Sequence, residues 1–320
     1  MNGASAVIPV WNRRDLLERL LDSLDRQTEP FDELIVVDNA SRDGAAELAE
    51  QRGARLLRNA ENRGFAAAVN QGIIECRTGF IAILNSDVEL HPEWLAKLRA
   101  AMTPGMWFTT GKIYRAGSEN VLDGTFDLVC RGGCAWRAGS GRVDSPAYSQ
   151  PRTVELAPMT AVLFRRELFD SIGLLDERFE SYLEDVDFGL RCVSQDCSGF
   201  YNPDAIAWHH GSATLGKWHG DTVRRIARNQ VFLIAKHASD PGWSVFVAQA
   251  LWGLVALRHG AFAHWLSGKR DGLQRRSEFE SHQLPPAAWN RLEQELRELQ
   301  QRDGMDLYWR LYFLLTRGGR

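Results

Sequence analysis

The residues best suited to chemistry in this chain follow a short apolar run. Residues 80–84 are uniformly apolar and predict a strand buried on both faces, and Asn85, Ser86 and Asp87 come where that strand must end. A carboxylate at the carboxyl edge of an α/β sheet lies where ligands bind, and its oxygens suit a hard divalent cation. Asp87 could equally cap the turn before the helix that Pro92 begins. Taken alone, the triplet favours this structural interpretation.

A second cluster places three carboxylates within four positions, at Glu184, Asp185 and Asp187. Acidic residues often do no more than begin a helix, where the helix dipole favours negative charge. Here apolar and aromatic residues flank the cluster on both sides and indicate burial. A carboxylate close to apolar surface and to other carboxylates holds a proton more tightly, which suits a general base.

A pair of imidazoles, His209 and His210, follows a short predicted strand. Neutral histidine is frequently an ordinary core or surface residue, so the pair is weak evidence by itself. If Asp87 lies on the same edge of the sheet, either imidazole becomes a candidate metal ligand.

The elements that must position these clusters alternate between strand and helix. The predicted strands are residues 4–10, 34–37, 54–57 and 80–84. This order predicts a mostly parallel sheet with right-handed crossovers and helices on both faces. The carboxyl ends of the strands then share one edge, and Asn12, Asp38, Asn62 and Asp87 line a single crevice there.

Other nucleotide-binding patterns are missing from the sequence. No GxGxxG follows the first strand and no GxxxxGK[ST] occurs, which argues against dinucleotide-binding and P-loop folds. A nucleotide in this crevice would instead need a carboxylate such as Asp38 for its base or ribose. Its phosphates would need a cation held at Asp87.

The composition is that of an ordinary soluble globular protein, with 320 residues, 44% hydrophobic and 25% charged. The net charge of −3 gives no argument for nucleic-acid binding. The five cysteines are odd in number and irregularly spaced, which suits free thiols in a reducing cytoplasm. The first residues lack a basic region followed by an apolar core, so we expect no signal peptide and a cytoplasmic protein.

The C-terminal region predicts helices of aromatic and basic character. Residues 243–257 are apolar but fall short of the roughly 20 residues that a membrane span needs. The last predicted helix is aromatic and carries Arg310 and Arg317. One interpretation is that these helices pack on the rest of the chain or on a second subunit. The other is a platform on a membrane surface, with aromatic side chains at the headgroups and Arg and Lys on anionic lipid.

Together, the motifs between Val7 and about His237 resemble those of family 2 glycosyltransferases with the GT-A fold, and particularly the bacterial rhamnosyltransferase-like branch. The motifs are residues 8–12, 36–44, 61–65, 84–87, 173–179, 184–187 and 208–212. Their order over more than 200 residues makes the resemblance specific. It implies a GT-A catalytic domain over residues 1–220. The residues that follow predict a helical C-terminal region over residues 221–320, for which packing on the catalytic domain, a homodimer and a membrane-surface platform all stay open.

The resemblance implies a nucleotide-diphosphate sugar as donor and an inverting transfer. It matches Asp38 to the acid that contacts the nucleoside, with Pro9 and Asn12 nearby. The motif that contains Asn62 and Gly64 adds these two residues to the donor-binding set.

The resemblance also implies Mg²⁺ or Mn²⁺ as cofactor. Asp87 matches the metal-binding acid of the DxD motif, whose first acid is replaced by Asn85 in this chain. We expect Asn85 to contact the donor. Because it replaces an acid of the motif, we also expect a weaker affinity for the metal. His209 aligns best with the late metal-binding histidine of the family, and His210 remains the alternate.

Inversion requires a base on the acceptor side of the sugar, opposite the leaving diphosphate. The resemblance matches Asp185 to this base, with Glu184 beside it. The two carboxylate clusters would thus divide the work, because Asp87 would hold the cation and Asp185 would deprotonate the acceptor hydroxyl.

The first donor we expect is rhamnose on deoxythymidine diphosphate (dTDP-rhamnose), with a UDP-sugar as the other choice. The acceptor would be a glycan or a polyprenyl-diphosphate-linked precursor of cell-surface polysaccharide, reached at the inner face of the cytoplasmic membrane. Two alternatives remain open. A nucleotidyltransferase would release diphosphate from a nucleoside triphosphate, and a non-catalytic nucleotide-sugar-binding module would bind the donor without turnover.

Overall fold

The computed structural model describes residues 3–211, 218–238 and 242–316. Ser212, at the end of the last motif, lies outside the described residues, and so does Arg317. The other motifs that carry the family resemblance lie within them.

The chain divides into two compact units, each formed from two segments. The first unit consists of Met1–Phe126 and Gly139–Ala213, and the second of Asp127–Ala138 and Thr214–Arg320. The second unit therefore includes a short segment from the middle of the chain. The predicted functional division at residue 220 stays a prediction.

The described residues form strands and helices in the following order. The strands are β1 (Ala4–Val10), β2 (Glu33–Asp38), β3 (Arg55–Arg58), β4 (Phe80–Leu84), β5 (Val88–Leu90), β6 (Met106–Arg115), β7 (Leu122–Gly124), β8 (Asp127–Val129), β9 (Ala135–Arg137), β10 (Arg152–Val154), β11 (Ala161–Arg165) and β12 (Ser198–His209). The helices are α1 (Arg14–Asp25), α2 (Ala45–Gln51), α3 (Phe65–Glu75), α4 (Trp94–Ala101), α5 (Arg166–Ile172), α6 (Glu184–Ser194), α7 (Gly220–His237), α8 (Trp243–Arg258), α9 (Phe262–Arg275), α10 (Pro286–Arg302) and α11 (Leu307–Thr316).

The central sheet of the first unit has the order β10-β12-β6-β11-β4-β1-β2-β3, with β5 paired to β12 and β7 paired to β6. Strands β4, β1, β2 and β3 run parallel, as the alternating sequence pattern predicts. Strand β11 runs antiparallel to both β4 and β6, so the other half of the sheet is mixed. The predicted fold class, a central sheet flanked by helices with helices at the C-terminus, is confirmed.

The core of the first unit packs helices against this sheet. Strand β1 is buried along its whole length, which explains its apolar sequence. Helix α1 presents Leu17, Leu20, Leu21 and Leu24 to the same core. Each buried leucine contributes about 1.5–3 kcal/mol relative to an exposed one. These contacts hold the sheet edge from which the polar loops emerge.

The second unit combines the hairpin β8–β9 with helices α7 to α11. Helix α7 packs closely on α9. The crossing is so tight that a Cβ added at Gly268 would lie 2.2 Å from the carbonyl oxygen of Arg224. Only a hydrogen atom fits at that crossing. Among the described residues, no helix combines the length and the apolar character that a membrane crossing requires.

Candidate active site

Hydrogen bonds connect the loops that follow β1 and β2 at the carboxyl edge of the sheet. Val10 pairs with Asp38 in register, so both strands end at the same level. The backbone N–H of Asn12 donates to Ser41 Oγ (2.7 Å), and the side chain of Asn12 accepts from the N–H of Arg42 (2.9 Å). Asp38 is buried and accepts from the N–H of Ser41 (3.0 Å). The predicted proximity of Asn12 and Asp38 is therefore present in the structure.

Pro9 lies one residue before the end of β1, opposite Val37 of β2, and is buried. It lies within β1, shortly before the polar loop that contains Asn12. Pro9 can thus shape the floor of the crevice, whereas polar contacts must come from the loops.

The loop after β3 brings Asn62 and Gly64 to the same edge. The side chain of Asn62 accepts from the N–H of Gly64 (2.9 Å), and Asn39 at the end of β2 donates to the carbonyl oxygen of Gly64 (3.1 Å). Gly64 has φ 85° and ψ 171°, a conformation that is essentially restricted to glycine. A Cβ at Gly64 would lie 2.8 Å from the carbonyl oxygen of Glu180.

The close approach of Gly64 to the backbone of Glu180 connects the Gly64 loop to the segment before α6. The N–H of Ala66 donates to the carbonyl oxygen of Glu180 (2.9 Å), and the N–H of Phe65 donates to Ser181 Oγ (3.1 Å). Glu180, Tyr182 and Leu183 all have positive φ, between 60° and 75°. Such backbone strain persists only where surrounding contacts impose it, and it clusters at functional sites. These contacts fix the position from which α6 begins.

The three carboxylates at the start of α6 lie in different environments. Asp187 is fully buried and pairs with Arg191 (3.2 Å), whose guanidinium also donates to the carbonyl oxygens of Ile172 and Leu174. Asp187 therefore has a structural partner. Asp185 is half-buried and accepts from the N–H of Val186 (2.8 Å).

Glu184 is buried, and its Oε2 has no hydrogen-bond partner among the described residues. Burial raises the pKa of Glu184 well above its ordinary value, and the charges of Asp185 and Asp187 raise it further. The cluster thus combines a buried carboxyl group of raised proton affinity with a neighbour, Asp185, that is only half-buried. The raised proton affinity expected for this cluster falls on Glu184.

The second polar centre joins Asp87 and His209 through strand pairing. Val88 of β5 pairs with His209 of β12, and Asp87 precedes β5 directly. His209 Nε2 lies 3.1 Å from Asp87 Oδ1. The expected meeting of the Asn-Ser-Asp corner with an imidazole is thus present.

Sequence reasoning missed Asp123, which contacts the other side of the same imidazole. Asp123 Oδ2 lies 2.9 Å from His209 Nδ1. Asp123 reaches this position because β7 pairs with β6 and β6 pairs with β12. The sequence around it, Asp123-Gly124-Thr125, is typical of a turn and contains no motif that marks a functional site.

The two carboxylates change the protonation of His209. Burial by itself lowers the pKa of His209, but the hydrogen bonds to Asp123 and Asp87 and their negative charges outweigh that effect. The pKa of His209 rises to about 9. The centre therefore has a strong preference for positive charge between its two carboxylates.

The neighbouring imidazole takes a different partner. His210 Nε2 lies 2.7 Å from Glu89 Oε1, and Glu89 also lies 3.7 Å from Arg19 Nη1. The backbone N–H of His210 donates to the carbonyl oxygen of Asp87 (2.9 Å). The side chain of His209, rather than that of His210, thus contacts the Asp87 carboxylate.

The chemistry of these side chains fits a hard divalent cation. Across the described residues, no three His, Cys, Asp or Glu side chains already converge on one point as a metal site would. Asp87 and His209 nevertheless supply an oxygen and a nitrogen at one place, and Mg²⁺ commonly takes only one or two protein ligands beside substrate phosphates. Asn85 Oδ1 is buried there without a partner among the described residues. The donor set therefore fits a cation that is completed by a diphosphate.

Comparison with known proteins identifies the class. The sequence model of "Glycosyl transferase family 2" matches residues 5–173, and the chain belongs to this family. The resemblance inferred from the motifs is confirmed, including its rhamnosyltransferase-like branch. The chain is a glycosyltransferase, which removes the nucleotidyltransferase alternative.

Two relatives indicate which branch of the family the chain resembles. The chain is 28% identical over 271 residues to an N-acetylglucosaminyl-diphospho-decaprenol L-rhamnosyltransferase of Mycobacterium tuberculosis, across 76% of this chain and 87% of the relative. It is 30% identical over 226 residues to the O-antigen biosynthesis protein RfbC of Myxococcus xanthus, across 66% of this chain but only 17% of that longer protein.

Two solved structures share the fold. One is GalNAc-T7 with UDP, GalNAc and Mn2+, with a TM-score of 0.67, 14% identity, and coverage of 95% of this chain and 58% of that chain. The other is the mannosyltransferase PcManGT of Pyrobaculum calidifontis with GDP-Man and Mn2+, with a TM-score of 0.51, 15% identity, and coverage of 97% and 86%. At such identities the likeness establishes the GT-A fold alone.

The contact between Gly64 and Glu180 gives a direct test of how α6 is positioned. We expect Gly64→Ala to destabilise the protein by about 3 kcal/mol, because it adds both a disallowed conformation and a clash with backbone. For a domain of this size, that corresponds to a fall in Tm of roughly 6–12 °C. Thermal unfolding followed by circular dichroism measures it.

Gly53→Ala is the matched control, because Gly53 also has positive φ (74°) but no heavy atom within 4 Å of an added Cβ. We expect it to cost about 1 kcal/mol. Equal losses of Tm in the two variants would contradict the account, since the contact with Glu180 would then contribute nothing.

Proposed function

We propose that this glycosyltransferase transfers a sugar, with inversion, from a nucleotide-diphosphate sugar to a hydroxyl of a polyprenyl-diphosphate-linked glycan precursor. The observation that carries the proposal is the start of α6. Asp185 is half-buried in the first turn of α6, and hydrogen bonds join the segment before α6 to the Gly64 loop. That loop follows β3, and Asp87 follows β4 of the same parallel set of strands. A base and a cation-binding acid on one edge are what an inverting transfer requires.

The donor we propose is dTDP-rhamnose, with a UDP-sugar as the other choice. Support for rhamnose comes from the similarity to the mycobacterial L-rhamnosyltransferase. The buried Asp38 and the loop held by Asn12 provide a polar site for the nucleoside. The Asn62 and Gly64 loop borders it, and the unpartnered Asn85 Oδ1 would accept a hydrogen bond from the donor.

The polyprenyl-linked acceptor rests on the same relative, whose name specifies a diphospho-decaprenol substrate. The hydroxyl of such an acceptor must lose a proton as it attacks the sugar. Asp185 accepts this proton, because Asp187 is paired with Arg191 and Glu184 is buried with its pKa raised well above the ordinary value.

Asp87 and His209 would hold Mg²⁺ or Mn²⁺. When bound, the cation would offset the negative charge that builds on the leaving diphosphate. Asp123 acts on His209 rather than on the donor. By accepting a hydrogen bond from Nδ1–H, it would orient the ring so that Nε2 faces the metal.

The role of Asp185 is tested by Asp185→Asn in a transfer assay that follows release of nucleoside diphosphate from dTDP-rhamnose with a lipid-linked acceptor. We expect kcat to fall by about 10²–10⁴-fold, because the amide cannot accept the proton. Donor affinity, measured by calorimetry, should change by less than about threefold.

Glu184→Gln serves as the matched control, because it makes the same change from carboxyl to amide one residue away, on a buried side chain whose pKa is raised. We expect it to keep most of the activity. The assignment is wrong if Glu184→Gln loses as much activity as Asp185→Asn, or if Asp185→Asn loses donor binding equally with transfer.

The role of Asp123 is tested by Asp123→Asn through Mn²⁺ affinity in the presence of nucleoside diphosphate. We expect the affinity to fall by about 10–100-fold, as for other groups that orient a metal-binding histidine. Isothermal titration calorimetry reads this directly, without turnover.

Glu89→Gln is the comparison variant, because Glu89 contacts the adjacent imidazole of His210 in the same way. We expect little change in Mn²⁺ affinity. A large loss in Glu89→Gln together with an unchanged Asp123→Asn would move the metal to His210.

A further inference from the structure

Helix α8 exposes an apolar face to solvent. Trp243, Phe246, Leu254 and Leu257 are between 57% and 63% exposed, although each is large and hydrophobic. Their spacing places them on one stripe along the helix. The only charged residue of α8 is Arg258, at its last position. A helix that is apolar on all sides is normally covered on all sides.

The same property extends to the helices that pack against α8. Helix α9 exposes Leu266 and Leu273, and α11 exposes Leu307 and Leu314, each by more than half. Helix α8 packs on both of them. On the α11 side, Trp243 Nε1 donates to the carbonyl oxygen of Leu315 (2.9 Å). We call the exposed apolar side chains of α8, α9 and α11 the three-helix face.

Helix α10 of the same unit shows the ordinary pattern. It buries Leu292, Leu296 and Leu299, and its outward positions include the polar residues Gln294, Glu298 and Arg302. The apolar exposure is therefore particular to the three-helix face. It is not a general property of the helices in this unit.

The charges on α8, α9 and α11 are almost all positive. The one carboxylate in these helices is Asp271, and it lies 3.2 Å from Arg224 of α7. Arg258, Arg270 and Arg310 are exposed. A second copy of the chain docking face to face would bring these like charges together. An anionic lipid surface would instead complement them and would accept the apolar side chains.

We propose that the three-helix face binds the surface of a membrane that contains anionic phospholipid. Trp243 and Phe246 would lie among the headgroups, where aromatic side chains are favoured, and the leucines would enter the upper acyl region. The arginines would contact lipid phosphates. This binding is peripheral and separate from the transfer chemistry, although it would bring the enzyme to the surface where a polyprenyl-linked acceptor resides.

The test is flotation of the full-length protein with vesicles of phosphatidylcholine, with and without phosphatidylglycerol, at low salt and at about 1 M salt. We expect binding to the anionic vesicles at low salt and weaker binding at high salt, where the screening length falls to about 3 Å. The triple variant Phe246→Gln, Leu254→Gln and Leu257→Gln should lower the partition coefficient by at least about 100-fold.

The double variant Ile74→Gln and Val143→Gln controls for the loss of exposed apolar surface as such. Both side chains are similarly exposed, at 63% and 59%, but lie in the first unit. The control should bind vesicles like the wild type, and both variants should keep the wild-type Tm because every substituted side chain is exposed.

The control for charge compares Arg310→Gln on the three-helix face with Arg302→Gln on α10. Near an anionic surface each Arg contributes about fivefold to binding, so we expect that loss in Arg310→Gln only.

Three outcomes would overturn the proposal. The first is that the wild type does not float with anionic vesicles at low salt. The second is that the triple variant binds as well as the wild type. The third is that the wild type sediments as a dimer which the triple variant dissociates, without vesicle binding in either, because the face would then bind a second copy. None of these readouts depends on donor, acceptor or metal.

Discussion

The close contact of the Gly64 loop with the backbone of Glu180 is the constraint on which the site depends. It connects the end of β3 to the start of α6, segments that are more than 100 residues apart in sequence. The segment just before α6 contains three non-glycine residues with positive φ. Residues with this strained backbone conformation relax unless neighbouring contacts fix them. The carboxylates of α6 therefore take their positions from backbone contacts that form only in the folded chain.

The charges of the site follow from burial. A carboxylate that leaves water needs a proton, a cation or hydrogen bonds, and each acid here has a different solution. Burial and neighbouring charge raise the pKa of Glu184, Asp187 pairs with Arg191, and Asp87 and Asp123 share the imidazole of His209. Asp185 is only half-buried and accepts a hydrogen bond from the N–H of Val186. This division shows how one short acidic cluster can contain both structural groups and the base that we propose.

The sequence predicted the parallel half of the sheet and the polar loops at its edge, because local periodicity and strand ends encode both. It did not predict the mixed half, where β6, β11 and β12 pair across long stretches of chain. Asp123 was missed for this reason, since β7 is three residues long and gains its position only through β6. The choice between His209 and His210 depends on the register of β12, which shifts between Asn202 and Ile206 where it pairs with β6. A shift of one residue exchanges the two faces of a strand, so single-sequence reasoning left both imidazoles open.

The central claim is that this sheet edge binds a nucleotide-diphosphate sugar together with a divalent cation. Thermal unfolding with dTDP-rhamnose, UDP-sugars and GDP-mannose, each with and without Mn²⁺, tests it directly, because a ligand that binds the folded state raises Tm. The account predicts a rise in Tm that requires Mn²⁺ and is largest for dTDP-rhamnose. A rise that is the same without the cation would contradict the metal site at Asp87 and His209. No rise with any donor would contradict the site as a whole.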